Sequence, residues 1–159
     1  MFNSVSYTNS QEKDYQLLLK QLEALIEDEK DIVANLSNAA ALLNQFLSDI
    51  NWVGFYLLKE GELVLGPFQG LPACVRIAVG KGVCGTAVSE RKTQRIADVH
   101  QFPGHIACDA ASQSEIVVPI TVNEEVIGVL DIDSPNKDRF DPLDQKYLEK
   151  FIEILERYL

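Results

Sequence analysis

Nothing in the 159 residues is apolar for long enough to cross a bilayer, and there is no basic stripe, internal repeat or low-complexity tract. Each absence excludes a class. A spanning helix needs about 20 consecutive apolar residues. The 14 lysines and arginines are outnumbered by 24 acidic residues, for a net charge of −10, and they are scattered. Such a surface cannot track a phosphate backbone, so nucleic acid is not an expected partner. The amino-terminal MFNSVSYTNSQEKDY has neither the basic region nor the apolar core of a secretory signal, which points to the cytoplasm. Gly80-Lys81-Gly82-Val83-Cys84-Gly85 has spaced glycines but no long buried strand before it, so it is not read as a phosphate loop.

Cysteine is also scarce, and its count is odd: Cys74, Cys84 and Cys108. In a reducing compartment such thiols are either buried and inert or redox-active. A zinc knuckle is a poor fit. His105-x-x-Cys108 makes half a site, but nine residues separate Cys74 from Cys84 where two to four are usual.

What is present is an ordinary globular composition, 47% hydrophobic and 24% charged. It suits one domain over residues 1–159, with 1–10 as a loose arm. Tyr15, Leu18, Leu19, Leu22, Leu25 and Ile26 share one helical face, with Ser10 as a weak N-cap. That stripe serves equally for the core or for a homodimer. A second helix follows Asp31, a plausible N-cap. Asn51 to Lys59 and Glu62 to Phe68 read as a hairpin through Glu60-Gly61. Trp52, Gly54 and Tyr56 fall on one face of the first strand, and the glycine leaves either a gap for a ligand or a bulge. Arg76 to Val79 is a short strand. Val83 to Glu90 is a short helix with Cys84 in its first turn, where the helix dipole favours a thiolate. Thr93 to Ala97, Glu115 to Val122 and Glu125 to Asp133 are further strands, and Asp141-Pro142 opens a last helix. The order predicts an α+β fold: a central, mostly antiparallel sheet with helices packed on one face and active-site loops on the other.

The chemistry concentrates in Gly104 to Glu115, GHIACDAASQSE, within a long loop from Asp98 to Ser114. Loops of that length inside a compact domain are usually functional. Cys108 is its candidate nucleophile. Asp131 and Asp133, in VIGVLDID, share one face of a strand, and Glu115 begins the strand before it. Clustered carboxylates repel, so one or more keeps a proton and becomes a general acid. Alternatively, the two aspartates only end a strand before Ser134-Pro135. A thiol beside acids suits sulfoxide reduction: the oxygen is protonated, a thiolate attacks sulfur, and a second thiol resolves the oxidised cysteine as a disulfide.

The segments INWVGFYLL, LVLGPFQG, ACVRI, GKGVCGTAV, RIADVHQFPGHIACDAASQSEIVVPI and IGVLDIDSP resemble the free methionine-(R)-sulfoxide reductases, stand-alone GAF-domain enzymes. The likeness runs over roughly residues 30 to 155. It implies an oxidoreductase acting on the free amino acid, with no bound cofactor or metal and thioredoxin as external reductant. By the same resemblance Cys108 is catalytic, and Cys84 and Cys74 are resolving and recycling cysteines, each able to pair with Cys108. Glu115, Asp131 and Asp133 bind substrate and assist protonation. Trp52 and Tyr56 surround the methyl-sulfoxide end, and loop amides near Cys108 are expected to hold the substrate carboxylate. A competing reading is a small-ligand or cyclic-nucleotide-sensing GAF domain. Asn136, Lys137, Phe140 and Asp144 match part of the sensor motif, but Gln145 stands where that motif has glutamate.

Overall fold

The period-two alternation of the strands and the three-four spacing of the helices sort the chain into one sheet between two layers. A computed structural model describes residues 2–8 and 10–159. In chain order it holds α1 (Gln11–Ile26), α2 (Ile32–Phe46), β1 (Trp52–Lys59), β2 (Glu62–Gly70), β3 (Arg76–Ala78), α3 (Gly82–Glu90), β4 (Gln94–Ile96), a 3-10 turn (Val99–Gln101), β5 (Ser114–Val122), β6 (Glu125–Ser134) and α4 (Pro142–Glu156). The strands form one antiparallel sheet in the order β3-β2-β1-β6-β5-β4. The α+β class expected of the sequence is the one observed.

Val53 and Phe55 of β1, Ile116, Val118 and Ile120 of β5, and Leu130 and Ile132 of β6 face α1, α2 and α4. The apolar stripe of α1 is used there: Tyr15, Leu18, Leu22 and Ile26 are all buried in this core. The opposite face carries Trp52, Tyr56, Val117 and Val129, covered by Val83, Cys84 and Ala87 of α3. So α3 sits with the loops rather than with the other three helices. Topology explains this. The chain enters α3 from one edge strand, β3, and leaves it for the other edge strand, β4, so α3 must cross the face the long helices leave open.

Local chemistry fixes the ends. Asp31 caps α2 by accepting from Ala34 N at 2.8 Å. Ser10 makes no side-chain cap on α1; Asp14 instead accepts from Thr8 N at 2.6 Å and Thr8 Oγ1 at 2.8 Å. Of the arm expected over 1–10, Met1 and Asn9 lie outside the described residues. Within the rest, Tyr7 donates to Gln21 Oε1 at 2.8 Å and stands edge-on to Phe46. Both hairpins turn through two left-handed residues, Glu60-Gly61 and Asn123-Glu124. That is the turn whose twist matches the strands. Among the described residues no helix is long and apolar enough to cross a membrane.

Asp144 joins the first and last helices. It completes the α4 capping box with Asp141, accepts from Tyr15 Oη at 2.6 Å, and faces Arg139 at 3.3 Å. Its replacement leaves a buried tyrosine hydroxyl unpartnered and uncaps α4. Asp144→Ala is therefore expected to lower the unfolding free energy in urea by about 2–4 kcal/mol, while Asp144→Asn loses less. Equal stability of Asp144→Ala and the parent would show that the cap and the hydroxyl bond contribute nothing.

Candidate active site

Strand register builds the site. In the β1–β6–β5 ladder Trp52 stands opposite Asp133, and Asp133 opposite Glu115. The next row on the same face is Gly54, Asp131 and Val117. Paired residues point to the same side of a sheet, so two aromatics and three carboxyls line one wall. Asp131 and Asp133 therefore do more than end a strand. A register slip occurs between Gly54 and Tyr56 in the pairing of β1 with β2. The space over Gly54 is not free for a ligand: a Cβ there would lie 2.3 Å from Phe68 Cβ and 2.9 Å from the Trp52 ring. The glycine instead lets Trp52 lie flat, stacked on Phe68 and Tyr56 with centroids 5.2 and 5.9 Å away. Trp52 Nε1 donates to Leu71 O at 3.1 Å and Tyr56 Oη to Cys74 O at 2.8 Å, which ties the aromatics to the loop carrying Cys74.

The opposite wall is the long loop, held at several points. Val99 N donates to Gln113 O at 2.9 Å and Gln113 N to Ser134 O at 2.7 Å, closing its base. Asn51 Nδ2 donates to Asp109 Oδ2 at 3.0 Å and to Ser112 Oγ at 3.2 Å. Asp109 Oδ1 accepts from Ala111 N at 2.9 Å, the local turn that shapes the backbone after Cys108. Ile106 packs 3.1 Å from where a Cβ on Gly82 would be, and Gly82 has φ +60°, so the loop descends only onto glycine. Cys108 is disulfide-bonded to Cys74 with Cα atoms 5.5 Å apart, and both are half-buried. Cys84 is a free, buried thiol whose Sγ lies 4.0 Å from Glu115 Oε1. The cavity between these walls is lined by Trp52, Tyr56, Cys84, Cys108, Glu115, Asp131 and Asp133, every residue the sequence singled out except Cys74. Cys74 joins through its bond to Cys108.

Burial dominates the electrostatics. It raises Glu115 and Asp133 well above the usual carboxylate range, and the Asp131 charge raises both further. Asp133 is half-buried, whereas Glu115 and Asp131 are buried. Asp131 is raised to about 6, its burial partly offset by hydrogen bonds from Glu115 and Cys84. One of its oxygens, Oδ1, is buried without a hydrogen-bond partner. Cys84 is raised well above the usual thiol range by burial and then by Asp131, Glu115 and Asp133. The thiolate that the start of α3 would favour therefore loses to the acids beneath it. Burial lowers His105, and Glu115 holds its proton, so the 3.8 Å approach of His105 Nε2 to Glu115 Oε2 is not an ion pair.

Asn51, which braces the loop, and Lys81 on the rim lack an advance signal in the sequence, while Asp109 and Ser112 lie within the singled-out 104–115 stretch without a role assigned to them. The partial sensor motif is occupied by structural work. Lys137 Nζ pairs with Asp98 Oδ2 at 3.0 Å, Asn136 O accepts from Ser114 Oγ at 2.5 Å, Phe140 is buried, and Asp144 is the helix anchor. None of the four lines the cavity. The loop amide of Cys108 donates to Ile106 O at 3.1 Å and is not free for a ligand.

A family model for the GAF domain matches residues 27–157. The free methionine-R-sulfoxide reductase of Escherichia coli strain K12 is 55% identical over 145 residues, 91% of this chain and 88% of that one. The reduced form of fRMsr of Staphylococcus aureus superimposes with a TM-score of 0.90 at 61% identity, covering 99% of each chain. The free methionine-R-sulfoxide reductase of Neisseria meningitidis, in complex with its substrate, gives a TM-score of 0.96 at 44% identity, over 99% of this chain and 95% of that one.

The acids carry a stability signature. A carboxyl raised on folding favours the folded state fully below its unfolded value and loses that contribution as pH rises through its folded value. For Asp131 the window runs from about 4 to about 6. Asp131→Asn is expected to match the parent at pH 4 and to exceed it by about 3 kcal/mol at pH 8, in urea unfolding with the disulfide intact. A parent whose advantage over the variant grows with pH would contradict the assignment.

Proposed function

The chain belongs to the GAF domain family and, within it, to the free methionine-R-sulfoxide reductases; on that premise we propose that it reduces free methionine-(R)-sulfoxide with Cys108 as nucleophile and Cys74 as resolving thiol. The observation that carries the reading is the Cys74–Cys108 disulfide in one cavity with the carboxyls of Glu115, Asp131 and Asp133.

In the dithiol state the methyl-sulfoxide end lies against Trp52 and Tyr56. Asp131, the most readily ionised of the three acids and the one with an unpartnered oxygen, takes the substrate ammonium. Glu115 and Asp133, held protonated by burial, donate to the sulfoxide oxygen. The substrate carboxylate meets the first turn of α3, where Gly82, Val83 and Cys84 line the cavity and their amides have no intrahelical partner. The Cys108 thiolate attacks sulfur, the protonated oxygen passes to Cys108 as a sulfenic acid, and methionine leaves. The Cys74 thiol then attacks the sulfenic sulfur, water departs, and the disulfide forms. Two thiols and one sulfoxide give one disulfide, one thioether and one water. An external dithiol, thioredoxin, returns the half-buried disulfide to thiols by exchange, in the reducing setting of the cytoplasm. No metal or bound cofactor takes part in this scheme.

The scheme sets Cys84 apart from the two sulfurs that change partner. In thioredoxin, thioredoxin reductase and NADPH, turnover is expected with the free (R) sulfoxide and not with the (S) epimer or an N-acetylated (R) substrate, which lacks the ammonium. No turnover with any of the three, in folded and reduced protein, would remove the reading. Cys74→Ser should stall after one turnover with a dimedone-reactive Cys108, while Cys84→Ser still yields the Cys74–Cys108 disulfide on peptide mapping. Asp133→Ala is expected to lower kcat/KM by about 100-fold or more, the scale of losing a positioned general acid, with near-parental stability. A fully active Asp133→Ala would remove Asp133 from the mechanism.

A further inference from the structure

We propose that the floor of the pocket is also a transition-metal site, in which Cys84, Glu115 and Asp131 take a Zn2+ ion that excludes the sulfoxide. One donor atom from each of the three lies within 4.8 Å of the other two, and all three residues are buried. Tetrahedral zinc with bonds of about 2.3 Å to sulfur and about 2.0 Å to oxygen places sulfur and oxygen roughly 3.5 Å apart. Cys84 Sγ and Glu115 Oε1 stand at 4.0 Å, so this pair needs to approach by about half an ångström to share one ion.

A second observation, besides the spacing of the donors, points to a positively charged ligand, and it concerns the same oxygen that the substrate ammonium would take. Asp131 is only 6% exposed, and its Oδ1 has no hydrogen-bond partner. A buried acceptor in that condition costs stability until a cation or a donor reaches it. Three protein donors leave the fourth position of a tetrahedral ion to water. A thiolate among the carboxylates selects zinc-like ions over magnesium or calcium. On binding, the Cys84 thiol proton and any carboxyl protons leave to solvent, and the metal charge relieves the repulsion among the acids. The set differs from the His105-x-x-Cys108 half-site suggested by spacing, because Cys108 belongs to the disulfide. Cys84 is outside that bond, so the metal site persists in both redox states. Binding of metal does not depend on the reductase reading; the exclusion of substrate does.

Co2+ titrated anaerobically into the reduced protein tests the site. The expected result is one ion per chain with a thiolate-to-cobalt charge-transfer band in the near ultraviolet. Cys84→Ser should lose the band and at least tenfold in affinity, and the double variant Cys74→Ser/Cys108→Ser should keep both. Asp131→Asn, which retains the thiol, should keep the band and lose at least tenfold in affinity, so the site is tested even if Cys84→Ser fails to fold. Substoichiometric binding, a band that survives Cys84→Ser, or a band lost in the double variant would overturn the site. In the double variant, which cannot turn over, saturating free methionine-(R)-sulfoxide should weaken apparent Co2+ affinity at least tenfold. Unchanged affinity would overturn mutual exclusion, and the NADPH-coupled assay judges the reductase reading separately.

Discussion

Everything in the pocket depends on the hydrogen-bonded register of β1, β6 and β5, because that ladder decides which side chains meet. With Trp52 opposite Asp133 and Asp133 opposite Glu115, an aromatic floor and an acidic wall arise from three segments distant in sequence. A slip of one residue would send both aspartates into the helix-packed core and bring Ile132 to the pocket. The register is protected by that same core, where Val53, Phe55, Ile116, Leu130 and Ile132 are fully buried. The packing on one face thus specifies the chemistry on the other.

Placing three carboxyls and a thiol together in a buried pocket runs against stability. Each group is desolvated, and the Asp131 charge raises Glu115, Asp133 and Cys84 further. The fold accommodates this by leaving protons on the group, which is the state an acid must be in to protonate a sulfoxide oxygen. What is costly for folding at high pH is useful for catalysis, and the unpartnered Asp131 Oδ1 marks where a ligand relieves the cost. The loop that closes the site is braced by hydrogen bonds from Asn51 and by the seat of Ile106 on Gly82.

The elements were legible because their periodicities were clean, and the shared face of Asp131 and Asp133 followed from strand alternation alone. The pairing of the cysteines was not. Cys74 and Cys108 are 34 residues apart, and only the fold sets their Cα atoms at 5.5 Å while turning Cys84 down into the acids. The placement of α3 was equally hidden, since nothing local says which face a crossing helix takes. At Gly54 the sequence left a gap and a bulge equally open, because what fills the space is Phe68 of the neighbouring strand together with the Trp52 ring. Asn51 gave no signal because it acts by holding other groups, and a bracing role leaves no motif.

The ring closed by the Cys74–Cys108 bond encloses β3, α3 and β4, that is, the helical roof of the pocket and an edge strand at each side of the sheet. Cross-linking a segment of that size removes about 4 kcal/mol of freedom from the unfolded chain. Linkage makes this reciprocal: whatever the bond adds to the fold, the fold adds to the bond. In the proposed cycle the reductant therefore works against the fold itself, and part of what the closed ring contributes to stability has to be returned each time the two thiols are released.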